Sequence, residues 1–302
     1  MHKEKLEEAR AFLEELAENP PWLPYEPTLL PLLFAATKED STASIDDLTV
    51  LIERSQKLAT RVLALANSAM YALQSTVTSL RRAISILGFR EVRTLVIMIG
   101  AVSAIKAAKL PKGFDAVALW RHQLRTATVA KALAEALSKG VGLPGGKPVS
   151  GLEMAPDEAY AAGLLHDIGK VFLAASRPAV WETVMAVSKS KGIPFNEAEE
   201  EYWGMDHALI GAQVLHYWKL PLLLTDPINW HHAPQLAPAY MVDAKLLSAA
   251  NVIANNGLTG ENALPPETAA LMPDGADAAA LGEAVKNALD EARTEALAGL
   301  MA

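Results

Sequence analysis

Apolar residues recur at helical spacing along most of this chain, and this pattern constrains its fold more than any other feature. Within residues 4–18, Leu6, Ala9, Phe12 and Leu16 fall near one face with Glu and Lys between them, as in an amphipathic helix. No segment shows the period-2 alternation that predicts a half-buried strand. Because 51% of the residues are apolar, the chain can bury a sizeable core. We therefore expect an all-α fold, a multi-helix bundle.

Helix signals continue through the rest of the sequence. Ser44 or Asp46 can cap a helix that carries Leu48 and Ile52. The segment LATRVLALANSAMYAL is apolar on nearly every side, as in a helix buried within a bundle. SLRRAISILG is expected to end at Gly88, and LVIMIG runs unbroken into AVSAIKAA, which favours helix over strand. DEAYAAGLLHDIGKVFLAAS is expected to be a helix with a kink near Gly169. Later helices are predicted over 178–191, 196–201, 206–218, 221–230 and 240–256.

Two stretches rich in proline or glycine interrupt the helices. Residues 20–31 contain five prolines, which fix φ and restrict the preceding residue, so an extended segment is expected there. Residues 139–156 are rich in Gly and Pro and are expected to form a mobile loop. The Ala-rich residues 275–302 are expected to form one or two helices.

Composition excludes several classes of function. The 27 Lys and Arg residues against 35 Asp and Glu give a formal charge of −8, so general nucleic-acid binding is not expected. Cysteine is absent, which excludes disulfides, thiolate metal sites and cysteine nucleophiles. The N-terminal segment is charged throughout, and no apolar run approaches the ~18 residues of a membrane span. We expect a soluble, cytoplasmic protein that does not bind membranes.

Histidine is concentrated in one part of the chain. Of seven histidines, six lie between positions 122 and 232. Histidine and carboxylate ligands suit Zn, Mn or Fe. Adjacent residues in a helix differ by about 100° in direction, so His166 and Asp167 can converge on a metal only at a helix end or a kink. Their apolar surroundings leave two interpretations open: a polar network in which the groups satisfy one another, or an ion that organises them. His216 is interpreted as an ordinary surface or core histidine.

Other conspicuous residues have ordinary structural interpretations. The glutamates are expected to form a solvated acidic face: Glu197, Glu199, Glu200 and Glu201. The tryptophans are interpreted mainly as core residues, with an interface as the alternative: Trp120, Trp181, Trp203, Trp218 and Trp230.

Eight segments, in their order along the chain, resemble the HDOD family, the HD-related output domain of bacterial signalling proteins. They are LPYEPTLLP, LATRVLALANSAMYAL, TSLRRAISILGFREVRTLV, LWRHQLRTATVAKALAE, AGLLHDIGKVFL, EAEEEYWGMDHALIGAQVLHYWKLP, INWHHAP and LLSAANVIA. HDIGK looks like the central motif of the HD superfamily. The resemblance implies an HDOD domain over 20–256. It divides into an N-terminal helical subdomain (20–114) packed on an HD-like helical core (115–256), with an amphipathic helix (1–19) before it and a helical tail (257–302) after it.

The resemblance to metal-dependent HD phosphohydrolases and HD-GYP proteins assigns candidate metal ligands position by position. The matching residues are His122, His166, Asp167, His207, His231 and His232. Lys170 matches the motif lysine, which in catalytic relatives lies near the substrate phosphate. Asp167 and Lys170 are therefore the catalytic candidates if the protein is hydrolytic, with Asp167 bridging the metals. The implied cofactor is a divalent metal ion: Fe, Mn or Zn.

Asn251 departs from the catalytic pattern. It stands where catalytic members carry Asp, and Asp243 lies eight residues too early to take its place. A neutral amide removes one negative charge and weakens metal retention. We therefore expect Asn251, like Lys170, to lie beside the ligands as a supporting group. No GYP motif follows His231 and His232.

The family resemblance implies a regulatory module that acts through protein interaction or ligand sensing, without efficient turnover. Two alternatives stay open: a metal-dependent phosphohydrolase of nucleotides or cyclic dinucleotides, and an iron-based redox sensor or oxygenase-like HD protein. Whether the protein is an enzyme is left open, with a regulatory role favoured. The expected partners are a signalling protein and a nucleotide or phosphate ligand. The sequence predicts no oligomeric state.

Overall fold

The structure, a computed structural model, describes residues 2–19, 28–37, 41–67, 76–260 and 263–289, with residues 2–4 described by their backbone alone. Within these ranges the β-structure amounts to one isolated antiparallel bridge between Thr259 and Ala263. The predicted all-α fold is confirmed. The expectation of an extended segment over 20–31 is wrong at residues 29–31, which are helical. The expectations for residues 20–27, 68–75 and 290–302 concern positions outside the described residues.

Two compact units make up the chain. The smaller unit comprises residues 22–104 and 218–220, and the larger unit comprises 1–21, 105–217 and 221–302. In chain order the helices are α1 (His2–Glu18), α2 (Leu29–Ala36), α3 (Ile45–Glu53), α4 (Gln56–Ala66), α5 (Leu80–Leu87), α6 (Phe89–Ala107), α7 (Ala116–Ser138), α8 (Pro156–Leu165), α9 (Ile168–Ser176), α10 (Pro178–Lys191), α11 (Phe195–Trp203), α12 (His207–Tyr217), α13 (Leu222–Asn229), α14 (Met241–Asn256) and α15 (Ala278–Ala288). Short 3₁₀ turns occupy Pro144–Gly146, Pro234–Leu236 and Pro266–Thr268.

Serine side chains cap the N-termini of three helices of the smaller unit, α3, α4 and α5. Ser44 and Asp47 form a reciprocal capping box at α3, which satisfies backbone N–H groups at the helix start. Ser55 and Ser79 accept backbone N–H groups at the starts of α4 and α5. The helix predicted over LVIMIG is confirmed within α6, and α5 ends before Gly88 as predicted. The buried residues of this unit are mostly aliphatic and include Leu48, Ile52, Leu58, Val62, Ala83 and Ile84.

The prediction that α4 is buried on nearly every side is wrong. Val62 is fully buried, whereas Leu63 and Leu65 are half-buried, so α4 buries one face. The helix ends at Asn67, whose side-chain amide accepts the backbone N–H of Val77 at 2.7 Å and donates to its carbonyl at 2.8 Å. This side-chain–backbone pairing competes with helix continuation.

The larger unit is organised around α7, which packs against α8, α14 and α15. Gly163 on α8 permits the close approach to α7, because a Cβ there would lie 2.5 Å from the Cα of Ala127.

Trp120, Trp203 and Trp218 are fully buried, which confirms the core interpretation for these three tryptophans, while Trp181 and Trp230 are half-buried. Across the described residues, none of the helices combines the length and apolar character needed to cross a bilayer.

Candidate metal centre

Most of the predicted site residues lie at or next to helix ends. His166 directly follows α8, Asp167 precedes α9 and His207 begins α12. His231 and His232 lie in the turn after α13, whereas His122 lies inside α7. The requirement that His166 and Asp167 sit at a helix break is therefore met. The six residues come from four separate parts of the larger unit and converge.

The helix expected to kink near Gly169 is interrupted at His166 and Asp167, two residues before this glycine. Asp167 leaves the helical conformation with φ −99° and ψ 7°. Gly169 serves a different purpose, because a Cβ at this position would lie 1.9 Å from the carbonyl oxygen of His207. Only glycine allows α9 and α12 to approach so closely, and this approach places His207 against Asp167.

Three of the residues form what we call the His122 group: His122, His166 and the Oδ2 atom of Asp167. The Nε2 atoms of His122 and His166 are 3.2 Å apart. Oδ2 of Asp167 lies 3.6 Å from Nε2 of His122 and 3.5 Å from Nε2 of His166. These ligand-type atoms surround one point.

The other residues form the His207 group: His207, His231, His232 and the Oδ1 atom of Asp167. Nε2 of His207 lies 3.1 Å from Nε2 of His232 and 2.9 Å from Oδ1 of Asp167. A ligand atom of each of the three histidines lies within 4.8 Å of the others. Asp167 thus offers one carboxylate oxygen to each group.

Hydrogen bonds at Nδ1 orient three of the imidazoles. His166 donates to the carbonyl of Gly163 at 2.8 Å, and His231 donates to the carbonyl of Ile228 at 2.7 Å. His207 donates to a carboxylate oxygen of Glu199 at 2.6 Å. Since these acceptors fix a proton on Nδ1, the three Nε2 atoms face the other cluster residues, and those of the neutral His166 and His231 carry a lone pair there.

The prediction that Glu199 belongs to a solvated acidic face is wrong, and no sequence pattern had placed it at the site. Its side chain is fully buried, and the same oxygen that binds the His207 ring accepts the His207 backbone N–H at 3.0 Å. Burial raises the pKa of Glu199, against the opposing effect of His207. A signal was present: Glu199 lies four residues before the buried Trp203, on the apolar face of α11. Three neighbouring glutamates are exposed as predicted: Glu197, Glu200 and Glu201.

Most of the imidazoles are neutral, as metal ligands must be, whereas His207 is protonated near pH 7. Burial lowers the pKa of His166 to about 4 and holds the pKa values of His231 and His232 well below the usual value, so these rings are neutral near pH 7. Burial opposes the charge on His207, but the carboxylates of Glu199 and Asp167 outweigh it and raise its pKa to about 9. Burial alone would raise the pKa of Asp167, yet its positive and polar neighbours hold it well below the usual value.

Lys170 and Asn251 lie beside the ligand-type atoms as expected. The Lys170 ammonium donates to Oδ2 of Asp167 at 2.6 Å and is 22% exposed, so it faces both the cluster and solvent. The side chain of Asn251 hydrogen-bonds with His122. Asp243 serves elsewhere, because it accepts the backbone N–H groups of Glu153 and Met154. His216 is exposed and beside Tyr217, which fits its ordinary interpretation.

The donor set fits a divalent metal ion. Ligands at about 2.1 Å from a common ion are separated by about 3.0–3.4 Å in octahedral or tetrahedral geometry, and several contacts of the cluster lie in or near this range. The Nε2 atom of His231 is buried and has no hydrogen-bond partner, as expected of an atom whose partner is an ion. Oδ1 of Asp167 likewise lacks a hydrogen-bond partner of satisfactory geometry, despite its closeness to His207.

The chain is similar to one protein family and to several solved structures. The HDOD domain family matches residues 23–234. A solved structure from Shewanella amazonensis SB2B, of a protein provisionally named a phosphohydrolase, is 26% identical with a TM-score of 0.70, over 96% of this chain and 98% of that one. An HDOD domain protein of unknown function from Geobacter sulfurreducens shares the fold at 24% identity and a TM-score of 0.70, over 96% of each chain.

A curated relative, an uncharacterised protein of Treponema pallidum (strain Nichols), is 24% identical over 200 residues. The match covers 66% of this chain and spans 36% of the length of that relative. The family match extends from the smaller unit across His122, the helix break at Asp167 and the His231–His232 turn. The chain belongs to the HDOD domain family.

Proposed function

We propose that this protein is a regulatory HDOD module whose His/Asp cluster binds a divalent metal ion and senses a small ligand or a protein partner without efficient turnover. The observation that carries the metal assignment is the unpartnered, buried Nε2 of His231. It lies among imidazoles whose other nitrogens are already engaged by carbonyl or carboxylate oxygens. A purely polar network would leave this acceptor unsatisfied, at a cost in stability.

The residues that would hold the ion are those of the two groups: His122, His166, Asp167, His207, His231 and His232. Glu199 orients His207, and Lys170 and Asn251 border the ligand side. A bound ion would supply Lewis-acid chemistry. The neutral side chain of Asn251 next to His122 supports a regulatory role, because it leaves the His122 group without a second carboxylate.

A phosphohydrolase is the second candidate. Asp167 directs one oxygen to each group, as a carboxylate shared by two ions would, and the partly exposed Lys170 could contact a phosphate. Similarity at 26% identity to the Shewanella protein supports this candidate as well. Nucleotides and cyclic dinucleotides are the substrate classes to test with Mn, Fe and Zn. Absence of product with all three metals would remove this candidate.

Elemental analysis of the purified protein tests the proposal directly. The wild type is expected to retain a transition metal, and His231→Ala is expected to lose it. His216→Ala is the matched control, since His216 is an exposed histidine outside the cluster. The identity of the metal also separates an iron-based sensor from a Zn or Mn protein. Wild-type protein that stays free of metal after incubation with Mn, Fe and Zn would overturn the proposal.

A further inference from the structure

Three half-buried aromatic side chains lie next to one another in the larger unit: Phe114, Trp181 and Phe195, which we call the aromatic shelf. The ring centroids of Phe114 and Trp181 are 4.8 Å apart, and those of Trp181 and Phe195 are 4.7 Å apart. The rings of the two pairs are tilted by 45° and 47°, so neither pair is stacked face to face. Each side chain of the shelf stays partly accessible, in contrast to the fully buried indoles of Trp120 and Trp203.

The three rings are attached at the starts of three different helices. Phe114 directly precedes Asp115, which caps α7 by accepting the backbone N–H of Ala118 at 2.8 Å. Trp181 lies in the first turn of α10, and Phe195 is the first residue of α11. Side chains that are fixed on helices in this way lose little conformational freedom when a ligand binds, so the shelf is preorganised.

The shelf adjoins the His/Asp cluster at Phe195. The centroid of the Phe195 ring lies 6.1 Å from that of His207 and 6.0 Å from the Lys170 ammonium, whose side chain is 22% exposed. A ligand that lies on the rings therefore meets polar groups at one end of the shelf. This arrangement favours an occupant that combines a flat aromatic face with a polar part over a wholly apolar one.

We propose that the aromatic shelf binds the base of a small molecule that contains a nucleoside, with the base on the rings and the ribose toward the Lys170 side. This proposal rests on the ligand-sensing part of the proposed function and does not involve the metal ion. Phenylalanine and tryptophan rings stack on bases of any sequence, because every base has a π-face. The formal charge of −8 opposes a polynucleotide and favours a small molecule.

Calorimetric titration with adenosine and guanosine tests the proposal, because these nucleosides carry a base and a ribose but no phosphate. The full-length wild type is expected to bind at least one of them and not to bind ribose. Trp181→Leu and Phe195→Leu should each weaken the binding at least tenfold. Trp181→Tyr, which keeps an aromatic ring, should weaken it less than threefold. Loss of packing alone would lower stability without this distinction between leucine and tyrosine.

Phe89→Leu is the matched control and should leave nucleoside binding unchanged. Phe89 is also half-buried and is also the first residue of its helix, but it lies in the smaller unit. Circular dichroism of each variant shows whether it is folded, and Trp181→Tyr tests the shelf if a leucine variant is not.

Three results would overturn the proposal: no binding of either nucleoside, unchanged binding in folded Trp181→Leu and Phe195→Leu, or tighter binding of single-stranded oligoadenylate than of adenosine. Elemental analysis tests the proposed metal binding separately. A wild type that retains its metal but binds neither nucleoside would therefore contradict only this inference.

Discussion

The buried side chains of the smaller unit are mostly aliphatic, with Arg93 over the Phe34 ring as a buried charged residue, whereas the larger unit encloses several ionisable groups at 0–1% exposure. Leu48, Ile52 and Leu58 are typical of the smaller unit, and Asp167 and His207 of the larger one. Aliphatic burial is favourable wherever the shape fits. Buried ionisable groups are costly unless partners compensate them. Packing alone therefore accounts for the aliphatic interior, whereas the polar interior needs compensating partners for its buried ionisable groups.

The largest expected effect separates stability from ion binding. Leu58→Ala removes a fully buried side chain from the smaller unit and is expected to lower the free energy of unfolding by about 2–5 kcal/mol. The ion content of the folded protein should not change, because Leu58 lies in the unit without the cluster. Urea denaturation and elemental analysis measure the two quantities.

Val50→Ala provides the control for this substitution. Val50 lies on α3 of the same unit and is 56% exposed, so its truncation should change the free energy of unfolding by no more than about 0.5 kcal/mol. If Leu58→Ala released the ion from folded protein, the division between a packing core and a chemical core would be wrong.

Sequence patterns predict the aliphatic interior well, because helical periodicity reports which face is apolar. The helix over LVIMIG, the cap at Ser44 and the end of α5 before Gly88 all follow from local signals. The C-terminal end of α4 does not follow from local signals, because it depends on the pairing of Asn67 with Val77, ten residues away.

The polar interior is only partly predictable. The family resemblance identified the six residues that converge, and the helix break at Asp167 follows from the need to aim adjacent side chains at one point. The burial of Glu199 was not predicted, because a glutamate in an acidic helix resembles a solvated residue. Its burial depends on His207, a partner that periodicity within α11 cannot reveal. The close approach of α12, which also requires a glycine at position 169, could not be predicted from the local sequence.

Asp243 is a buried carboxylate of the larger unit that lies outside the cluster. Burial outweighs the hydrogen bonds from two backbone N–H groups and raises the pKa of Asp243 to about 6. Because the folded state holds this proton more tightly than the unfolded state, the contribution of Asp243 to stability is full below about pH 4 and is lost as the pH rises through about 6. A shift of about two units corresponds to up to about 3 kcal/mol.

Asp243→Asn is therefore expected to match the wild type in stability near pH 4 and to exceed it by about 2 kcal/mol at pH 7. The amide oxygen can still accept the N–H groups of Glu153 and Met154. Urea denaturation at several pH values measures the difference, in which the contributions of the histidines cancel. Asp274→Asn, at an exposed position of the same unit, should follow the wild type. A constant difference at all pH values would show that Asp243 titrates no differently in the folded and unfolded states.

Glu199→Gln is expected to have the smallest effect on stability and the most specific effect on ion affinity. The glutamine oxygen can still accept from the ring and backbone of His207, but the negative charge behind the imidazole is lost. Substitution of such a supporting carboxylate typically weakens metal binding by about 10–100-fold. Glu200→Gln, one residue away and exposed, should leave ion affinity unchanged. Competition with a metal chelator measures both variants.

The outcome distinguishes two roles for Glu199. If Glu199 served only to begin α12 through the backbone N–H of His207, Glu199→Gln and Glu199→Asp would change stability and ion affinity in parallel. If it tunes the ligand, ion affinity falls in Glu199→Gln while the unfolding midpoint of the metal-free protein moves little. Unchanged ion affinity in folded Glu199→Gln would remove Glu199 from the metal centre. Its buried charge would then be explained by helix capping and by the His207 imidazolium alone.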